Sequence, residues 1–439
     1  MSIHPRSQPL HRESGAVVPP PRVSGRGPDE PVGQPPPTTS SEGFPTTADG
    51  AAAQRPVSGP PTGRRADRHA DRRSHRRRRW WLTALIAAVL LIVPGVSFAR
   101  AMTYPGQAPL SVRAVEWVRD NGGGGLVNTV ETWWYTRHPP PRSGKPVDVL
   151  TQPGAVPTRA ADQVLPRVRL LGLPVLAGEG AWRIPARTPT GKPALYTTWF
   201  RPDAGHTSVA VGVALIPQQA DRLHLVGGTR EPAPGLSWPQ GFKVPTADRP
   251  QLVAAFNAGF KMKDAKGGWY GEGKTAAPLV NGAASLVIAR DGRATVGAWG
   301  GDLRLTPDVV AVRQNLALVV ENGRPVPGLN GNAHGRWGSS RNQLQYTWRS
   351  GLGTDTHGDL IYVAGRGLTL TTLADGMSKA GIQTGMELDI HTTMVTFNLF
   401  NPQDRAADQT GTKLLASMSQ PSRRYLGPDQ RDFFYVTVR

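Results

Sequence analysis

The sequence predicts an α+β protein: a mixed β-sheet domain with few helices, preceded by a single transmembrane helix and a disordered N-terminal tail. Three observations carry this reading. Residues 1–79 are rich in Pro and Arg and show no apolar periodicity. An unbroken apolar run follows, from Leu82 to Phe98. From about Pro166 the chain changes to short apolar segments separated by tight-turn residues.

The tail, residues 1–79, contains Pro19-Pro20-Pro21 and Pro35-Pro36-Pro37 in Gly/Ser/Thr filler. So little apolar surface does not offset the entropy of ordering a chain. The tail ends in a basic block of Arg72, Arg73 and Arg76–Arg79. Residues 80–99 begin with Trp80-Trp81, which suit a membrane interface, and continue as the apolar run. Roughly 19 helical residues span about 28 Å, the thickness of a bilayer core. The basic block places the N-terminus in the cytoplasm and everything after Arg100 outside the cell. A cleaved signal peptide ending at Ser97-Phe98-Ala99 is the competing reading, but a leader of about eighty residues before the apolar core is unusual.

Residues 100–165 read as a helical juxtamembrane region and linker. Ser111 is placed to cap a helix whose Val112, Val115 and Val118 form one stripe, and Asn121 with Gly122–Gly125 ends it. A second segment runs from Leu126 to Tyr135 and stops at Pro139–Pro141. The pair either leans on the membrane or packs on the main domain. The aromatic run Trp133-Trp134-Tyr135 favours packing.

The main domain is assigned to residues 166–439. Ser208–Ile216, Leu223–Val226 and Leu360–Ala364 are strand-like. Ser285–Ala289 and Ala294–Ala298 flank Asp291-Gly292, a hairpin signal that recurs where Leu316–Val320 and Pro325-Val326 flank Asn322-Gly323. Thr372 and Asp375 form a capping pair for a helix from Leu373 to Ala380, closed by Gly381, and Met386–Ile390 follows as a strand.

Composition narrows the chemistry. The chain has no Cys, which removes disulfides, thiolate nucleophiles and Cys-ligated zinc. The net charge is +19, of which the tail carries +7 and the remainder +12. Anionic partners fit this balance, as does a basic coding bias spread over solvated faces. Gly-rich nucleotide loops, His-Glu-x-x-His and Gly-x-Ser-x-Gly are absent from the sequence.

Three polar clusters stand at the ends of apolar segments. A strand from Leu252 to Phe256 runs into Asn257-Ala258-Gly259-Phe260-Lys261, where an amide and a Gly let backbone and side chain approach a sugar hydroxyl. An ordinary strand-end turn is the plainer reading. Gly268-Trp269-Tyr270-Gly271 offers Tyr270 for stacking on a sugar ring, although a plain surface loop has the same composition. Glu387-Leu388-Asp389-Ile390-His391 is predicted to project Glu387, Asp389 and His391 from one strand face. Buried carboxylates need cationic partners, for which Arg313, Arg349 and Arg366 are candidates. An edge strand with a wet face is the alternative.

Taken in order, these segments resemble the phosphodiester glycosidase family, known for uncovering mannose 6-phosphate by removing N-acetylglucosamine, over roughly residues 205–438. The resemblance rests on Gly228-Thr229-Arg230-Glu231-Pro232, Asn257-Ala258-Gly259-Phe260, Pro278-Leu279-Val280-Asn281-Gly282, Gly367-Leu368-Thr369-Leu370 and Leu388-Asp389. A membrane-anchored actinobacterial branch is the most similar form. The family carries Asp-Gly-Gly-Gly-Ser after its last apolar strand. Asp389-Ile390-His391-Thr392-Thr393 keeps the acid and lacks the glycines that let backbone amides approach an anion.

The resemblance implies extracytoplasmic hydrolysis of a sugar 1-phosphodiester on a cell-envelope glycan or glycoconjugate. Asp389 is then the catalytic base or electrostatic carboxylate and Glu387 its partner. Asn257, Gly259, Tyr270 and His391 bind substrate, and Arg349 and Lys261 clamp phosphate. No cofactor is expected, and the metal is left open because carboxylate pairs such as Glu387/Asp389 sometimes hold a divalent ion. Non-catalytic binding of anionic wall polysaccharide by the same fold is the runner-up. Nucleic-acid binding ranks last, since no interleaved stacking platform accompanies the charge.

Overall fold

The computed structural model describes residues 66–104, 106–146, 149–150, 164–239, 241–339, 343–402, 404 and 409–439, with the side chains of 66–77 excepted. The expectation for residues 1–65 lies outside the described residues. The chain divides into two units, Met1–Arg77 and Arg78–Arg439, and apart from the first residues of α1 the second holds all that follows.

Helix α1 (Ala66–Thr103) contains a 26-residue stretch, Arg78–Thr103, long and apolar enough to cross a membrane. Its apolar side chains are not used in a core: Leu91 is 75% exposed. Two short helices follow, α2 (Leu110–Val118) and α3 (Gly124–Arg137), joined by a π-helical turn at Arg119–Gly123. Gly122, at φ +89°, breaks the helical path there. Pro109 precedes the first turn of α2, so Ser111 lies inside the helix instead of capping it. Trp133 and Trp134 are 50% and 52% exposed, so the aromatic run that favoured packing is not itself core.

The rest of the unit is built on three sheets. The largest has eight strands in the order β1 (Arg183–Arg187), β2 (Pro193–Phe200), β3 (Val211–Ile216), β14 (Leu360–Leu368), β13 (Thr347–Thr354), β15 (Thr384–Ile390), β11 (Leu318–Glu321) and β12 (Arg324–Pro325). The second runs β7 (Lys274–Ala277), β6 (Trp269–Gly271), β10 (Val309–Gln314), β8 (Ala284–Ala289), β9 (Ala294–Ala298). The third runs β17 (Thr412–Lys413), β16 (Phe397–Leu399), β5 (Leu252–Asn257), β18 (Phe433–Val438), β4 (Asp221–Val226). The named strands pair antiparallel throughout, so the expected mixed sheet is corrected to antiparallel.

Both hairpins marked by Asp291-Gly292 and Asn322-Gly323 form. The main core fills the space between the sheets, with Leu286, Phe256, Leu388 and Phe434 from different sheets in one cluster. On the far face of the large sheet, a one-turn helix, α4 (Met262–Ala265), plays no part. Instead α5 (Leu370–Lys379) buries Leu370, Leu373, Ala374 and Met377. Its cap is Thr369, whose hydroxyl accepts from the Thr372 amide. The sequence placed this cap three residues too late, because Thr372 and Asp375 match the same capping pattern one turn on.

Candidate functional site

Strand ends from all three sheets meet at one place. Asp389 stands near the end of β15, Asn315 follows β10, Gly259 follows β5, and Arg431 precedes β18. The β13–β15 pairing steps from Gly351↔Glu387 to Arg349↔Ile390, so β15 carries one more residue than its partner and bulges at Leu388–Asp389. Asn315 fastens the bulge. Its side-chain NH2 donates to the Glu387 and Leu388 carbonyls at 2.6 and 3.3 Å, and its Oδ1 accepts from the Phe260 amide at 3.2 Å.

The bulge separates the two acids that sequence alternation placed on one face. Glu387 turns inward to Arg349, with Nη1 2.7 Å from Oε1, and accepts from Gln343 Nε2 at 3.2 Å. Arg349 is wholly buried and also donates to Gln343 Oε1 and to the carbonyls of Leu368 and Gln345. Burial raises the Glu387 pKa, against the lowering effect of Arg349. The pair is an internal brace, and Arg349 presents no guanidinium edge to a ligand.

Asp389 faces a cleft of about 430 Å³ whose lining includes Lys261, His391 and Arg431. Its Oδ2 accepts from Arg431 Nη2 at 2.9 Å and its Oδ1 from the Ile390 amide at 2.9 Å. The same Arg431 nitrogen donates to the Gly259 carbonyl at 3.0 Å. Burial raises the carboxyl above the usual range, while Arg431 and the Ile390 amide hold it down. The result is a buried carboxylate with a fixed guanidinium at a cleft wall.

His391 follows with φ +78°, a left-handed conformation that β-carbon-bearing residues rarely adopt. The backbone after Asp389 is thus glycine-like, although Ile390, His391, Thr392 and Thr393 include no Gly. The ring is 9% exposed, and its Nδ1 makes no hydrogen bond, facing Glu131 Oε2 at 3.5 Å. Burial, aided by Arg119 and Arg349, lowers its pKa to about 3, so the ring is neutral.

The α2–α3 pair lies against this cleft. Glu116 and Asp120 reach Lys261 Nζ at 2.6 and 2.7 Å, and Asp120 also pairs with Arg230 at 3.0 Å. Arg119 pairs with Glu131 across the π-turn at 2.6 Å. The foot of the pair is anchored by Arg113, which donates to the carbonyls of Met102, Gly106 and Ala108, and by Trp117, which meets Ser97 and Phe98 of α1. Packing on the domain, the favoured expectation, is what the contacts display.

The other residues singled out in the sequence fall in three places. Asn257 is buried and fully engaged: it donates to Ser350 Oγ and the Ala258 carbonyl and accepts from Tyr362 and the Thr396 amide. Ser350 Oγ in turn donates to the Asp389 carbonyl at 2.8 Å, so Asn257 positions the acid from behind. Gly259 touches the site through its carbonyl, and an added Cβ there would come within 3.0 Å of the Asn315 side chain. Tyr270 packs beside Val287 and Val312 on the second sheet, away from the cleft lining. Arg431, Asn315, Gln343 and the acids of α2 were not anticipated. Only the charged run Asp429–Asp432 ahead of a terminal apolar strand hinted at Arg431. Among the described residues no group of three or more His, Cys, Asp or Glu could hold a metal, and Glu387 is committed to Arg349.

No protein-family model matches the chain, and no curated protein matches it. Solved structures do. The catalytic domain of zebrafish N-acetylglucosamine-1-phosphodiester alpha-N-acetylglucosaminidase, auto-inhibited by its pro-peptide, is similar at 17% identity and TM-score 0.38, over 59% of this chain and 87% of that one. A hypothetical protein from Synechocystis matches at 12% identity and TM-score 0.34, over 56% and 63%. A protein from Burkholderia pseudomallei described as exported matches at 14% and 0.32, over 54% and 75%. At these scores the likeness is distant.

Proposed function

We propose that the protein hydrolyses a sugar 1-phosphodiester in the cell envelope, with Asp389 as the central carboxylate. The observation that carries this is the Asp389–Arg431 pair at the wall of a cleft that also presents Lys261, Lys263, Lys266 and Arg119. Such a site offers the fixed Asp389 charge to an electron-poor carbon and, beside Glu116 and Asp264, several cations to an anionic group.

In the reaction the C1–O bond of the sugar breaks, a water oxygen bonds to C1, and the phosphate monoester leaves as an anion. The leaving group is a weak base, so little acid assistance is needed. Asp389 takes the water proton or stabilises positive charge developing at C1. Arg431 holds the carboxylate in place through its second contact to Gly259. Lys261 receives the phosphate once Glu116 and Asp120 give way. Neutral His391 offers a ring nitrogen to a sugar hydroxyl. In this reading α1 spans the membrane, with the tail in the cytoplasm and the sheets outside, and the substrate is an anionic or phosphorylated glycan.

Binding without turnover is the second reading, favoured by Ile390 and the two Thr residues in place of glycines after Asp389. The test uses the full chain in neutral detergent micelles with an aryl ester of α-N-acetylglucosamine 1-phosphate. Release of N-acetylglucosamine that Asp389→Asn abolishes supports hydrolysis. Tight binding with no release supports the second reading. Turnover indifferent to Asp389→Asn removes the mechanism.

A further inference from the structure

A larger cavity, about 680 Å³, opens on the other side of α3. That is the size of a small-ligand site. Its floor is laid by Thr347 and Trp348 of β13, and its walls by Trp134 and Tyr135 of α3 and by Tyr346. Thr347 is 1% exposed, and its hydroxyl has no hydrogen-bond partner, as is true of the Ser417 hydroxyl on the same lining. Lys145, Arg366 and His138 stand at this cavity, and no Asp or Glu is among its lining residues.

We infer that this cavity binds an acidic oligosaccharide chain, as a site neighbouring the Asp389 cleft. Each element of the lining matches a part of such a ligand. Sugar rings have apolar faces, which stack on half-exposed aromatic side chains such as Trp134. Their hydroxyls need hydrogen-bonding partners within the cavity, and Ser143 and Tyr346 are polar residues of its lining. Acidic substituents meet Lys145 and Arg366 with no opposing carboxylate. An extended peptide is less well served. β13 and β14 each have neighbours on both sides in the large sheet, so no strand edge is free to pair with it.

The two sites are neighbours through the segment after β15. Thr392 lines this cavity, and His391, one residue earlier, lines the Asp389 cleft. Tyr135 reaches over from α3 to Thr392 Oγ1 at 3.5 Å. Glu131, Thr132 and Tyr135 of α3 sit on His391, Gln345 and Thr392 between the two openings, so the acidic chain lays its sugars on Trp134 and Tyr346 within this cavity alone. The inference rests on the proposed substrate class, but it is measured by binding and not by turnover.

The experiment titrates the full chain in neutral detergent micelles with hyaluronan hexasaccharide, which alternates N-acetylglucosamine and glucuronate, and with neutral chitohexaose. The acidic hexamer is expected to bind about tenfold more tightly, the effect of one charge contact. Trp134→Ala and Arg366→Gln are each expected to weaken it about tenfold while leaving turnover of the small aryl diester within about twofold. Circular dichroism checks that these surface variants fold. Hexamer binding that both folded variants retain at full strength overturns the inference, as does displacement of the hexamer by dihexanoyl phosphatidylglycerol through the same residues. Variant-sensitive hexamer binding without diester turnover leaves the cavity standing and removes the reaction. Diester turnover with variant-insensitive hexamer binding does the reverse.

Discussion

Arg431 Nη2 lies 2.9 Å from Asp389 Oδ2 and ties the segment before β18 to the end of β15, joining two sheets through one guanidinium. Both side chains are nearly buried, so the pair is not a solvated surface bridge. The same nitrogen holds the Gly259 carbonyl. Position and charge at the cleft therefore depend on one planar group with two fixed partners.

Arg431→Lys tests this dependence. The ammonium keeps the charge but cannot repeat the planar fork. The expected outcome is a fall in kcat/KM of about 10–100-fold on the aryl diester, mostly in kcat, with Asp389→Asn lower still by about 10³-fold relative to wild type. Steady-state kinetics on the solubilised chain, with a thermal melt to verify folding, checks it. An Arg431→Lys enzyme with unchanged kcat would mean that Asp389 needs no orientation.

Glu116 and Asp120 place two carboxylates on Lys261, which is the cation a phosphate would seek. Glu116→Gln with Asp120→Asn should release it. Each partly exposed pair is worth about 0.5–1 kcal/mol, so KM for the anionic diester is expected to fall roughly fivefold, and less at high salt. Adding Lys261→Gln should cancel the gain. A KM that does not move, or moves equally at all salt concentrations, would detach the α2 acids from substrate binding.

Local chemistry made parts of this structure legible in the sequence. Asp291-Gly292 and Asn322-Gly323 specify their own turns, and both hairpins formed. Asp389 was legible because an acid at the end of an apolar strand asks for a partner. That partner was not, since Arg431 lies 42 residues further along the chain. Counting by twos joined Glu387 to Asp389, but the bulge adds a residue between them, and its cause, Asn315, is 72 residues from Glu387. Trp133 and Trp134 read as core because aromatic runs usually are. Here they sit on α3 and stay half exposed, Trp134 at the larger cavity.

Glu387→Gln separates support from catalysis. Removing the charge leaves Arg349 buried without its ion partner, a change that costs about 3–5 kcal/mol. The expected result is a large fall in the denaturation midpoint, followed by tryptophan fluorescence, with kcat per folded molecule changed by less than about threefold. A Glu387→Gln chain as stable as wild type but without turnover would place Glu387 in the reaction after all.

His391 should make the native state sensitive to acid. Burial, with help from Arg119 and Arg349, holds its pKa at about 3, whereas an unfolded His titrates near 6.5. Between these values the unfolded chain binds a proton that the native chain refuses, so stability is lost as pH falls, at about 1.4 kcal/mol per pH unit. By pH 4 the loss reaches about 3 kcal/mol. His224, held to about 4 by burial, adds a slope of the same sign. Asp389 and Glu387, raised by burial, give the opposite slope, because their protonated forms are favoured in the native state. The comparison with His391→Asn isolates the one ring. Asn tolerates the left-handed backbone at this position and does not titrate. Melting temperatures of the two proteins should diverge steadily from pH 7 to pH 4, with the Asn variant gaining relative to wild type as the medium becomes more acid. Glu131, 3.5 Å from the ring, is the acid that would blunt this by accepting a proton-bearing His391, and its own carboxyl is raised by burial, which limits that rescue. A difference in melting temperature that stays constant across the range would mean that the ring is solvated and the α2–α3 pair lifted away from it in solution.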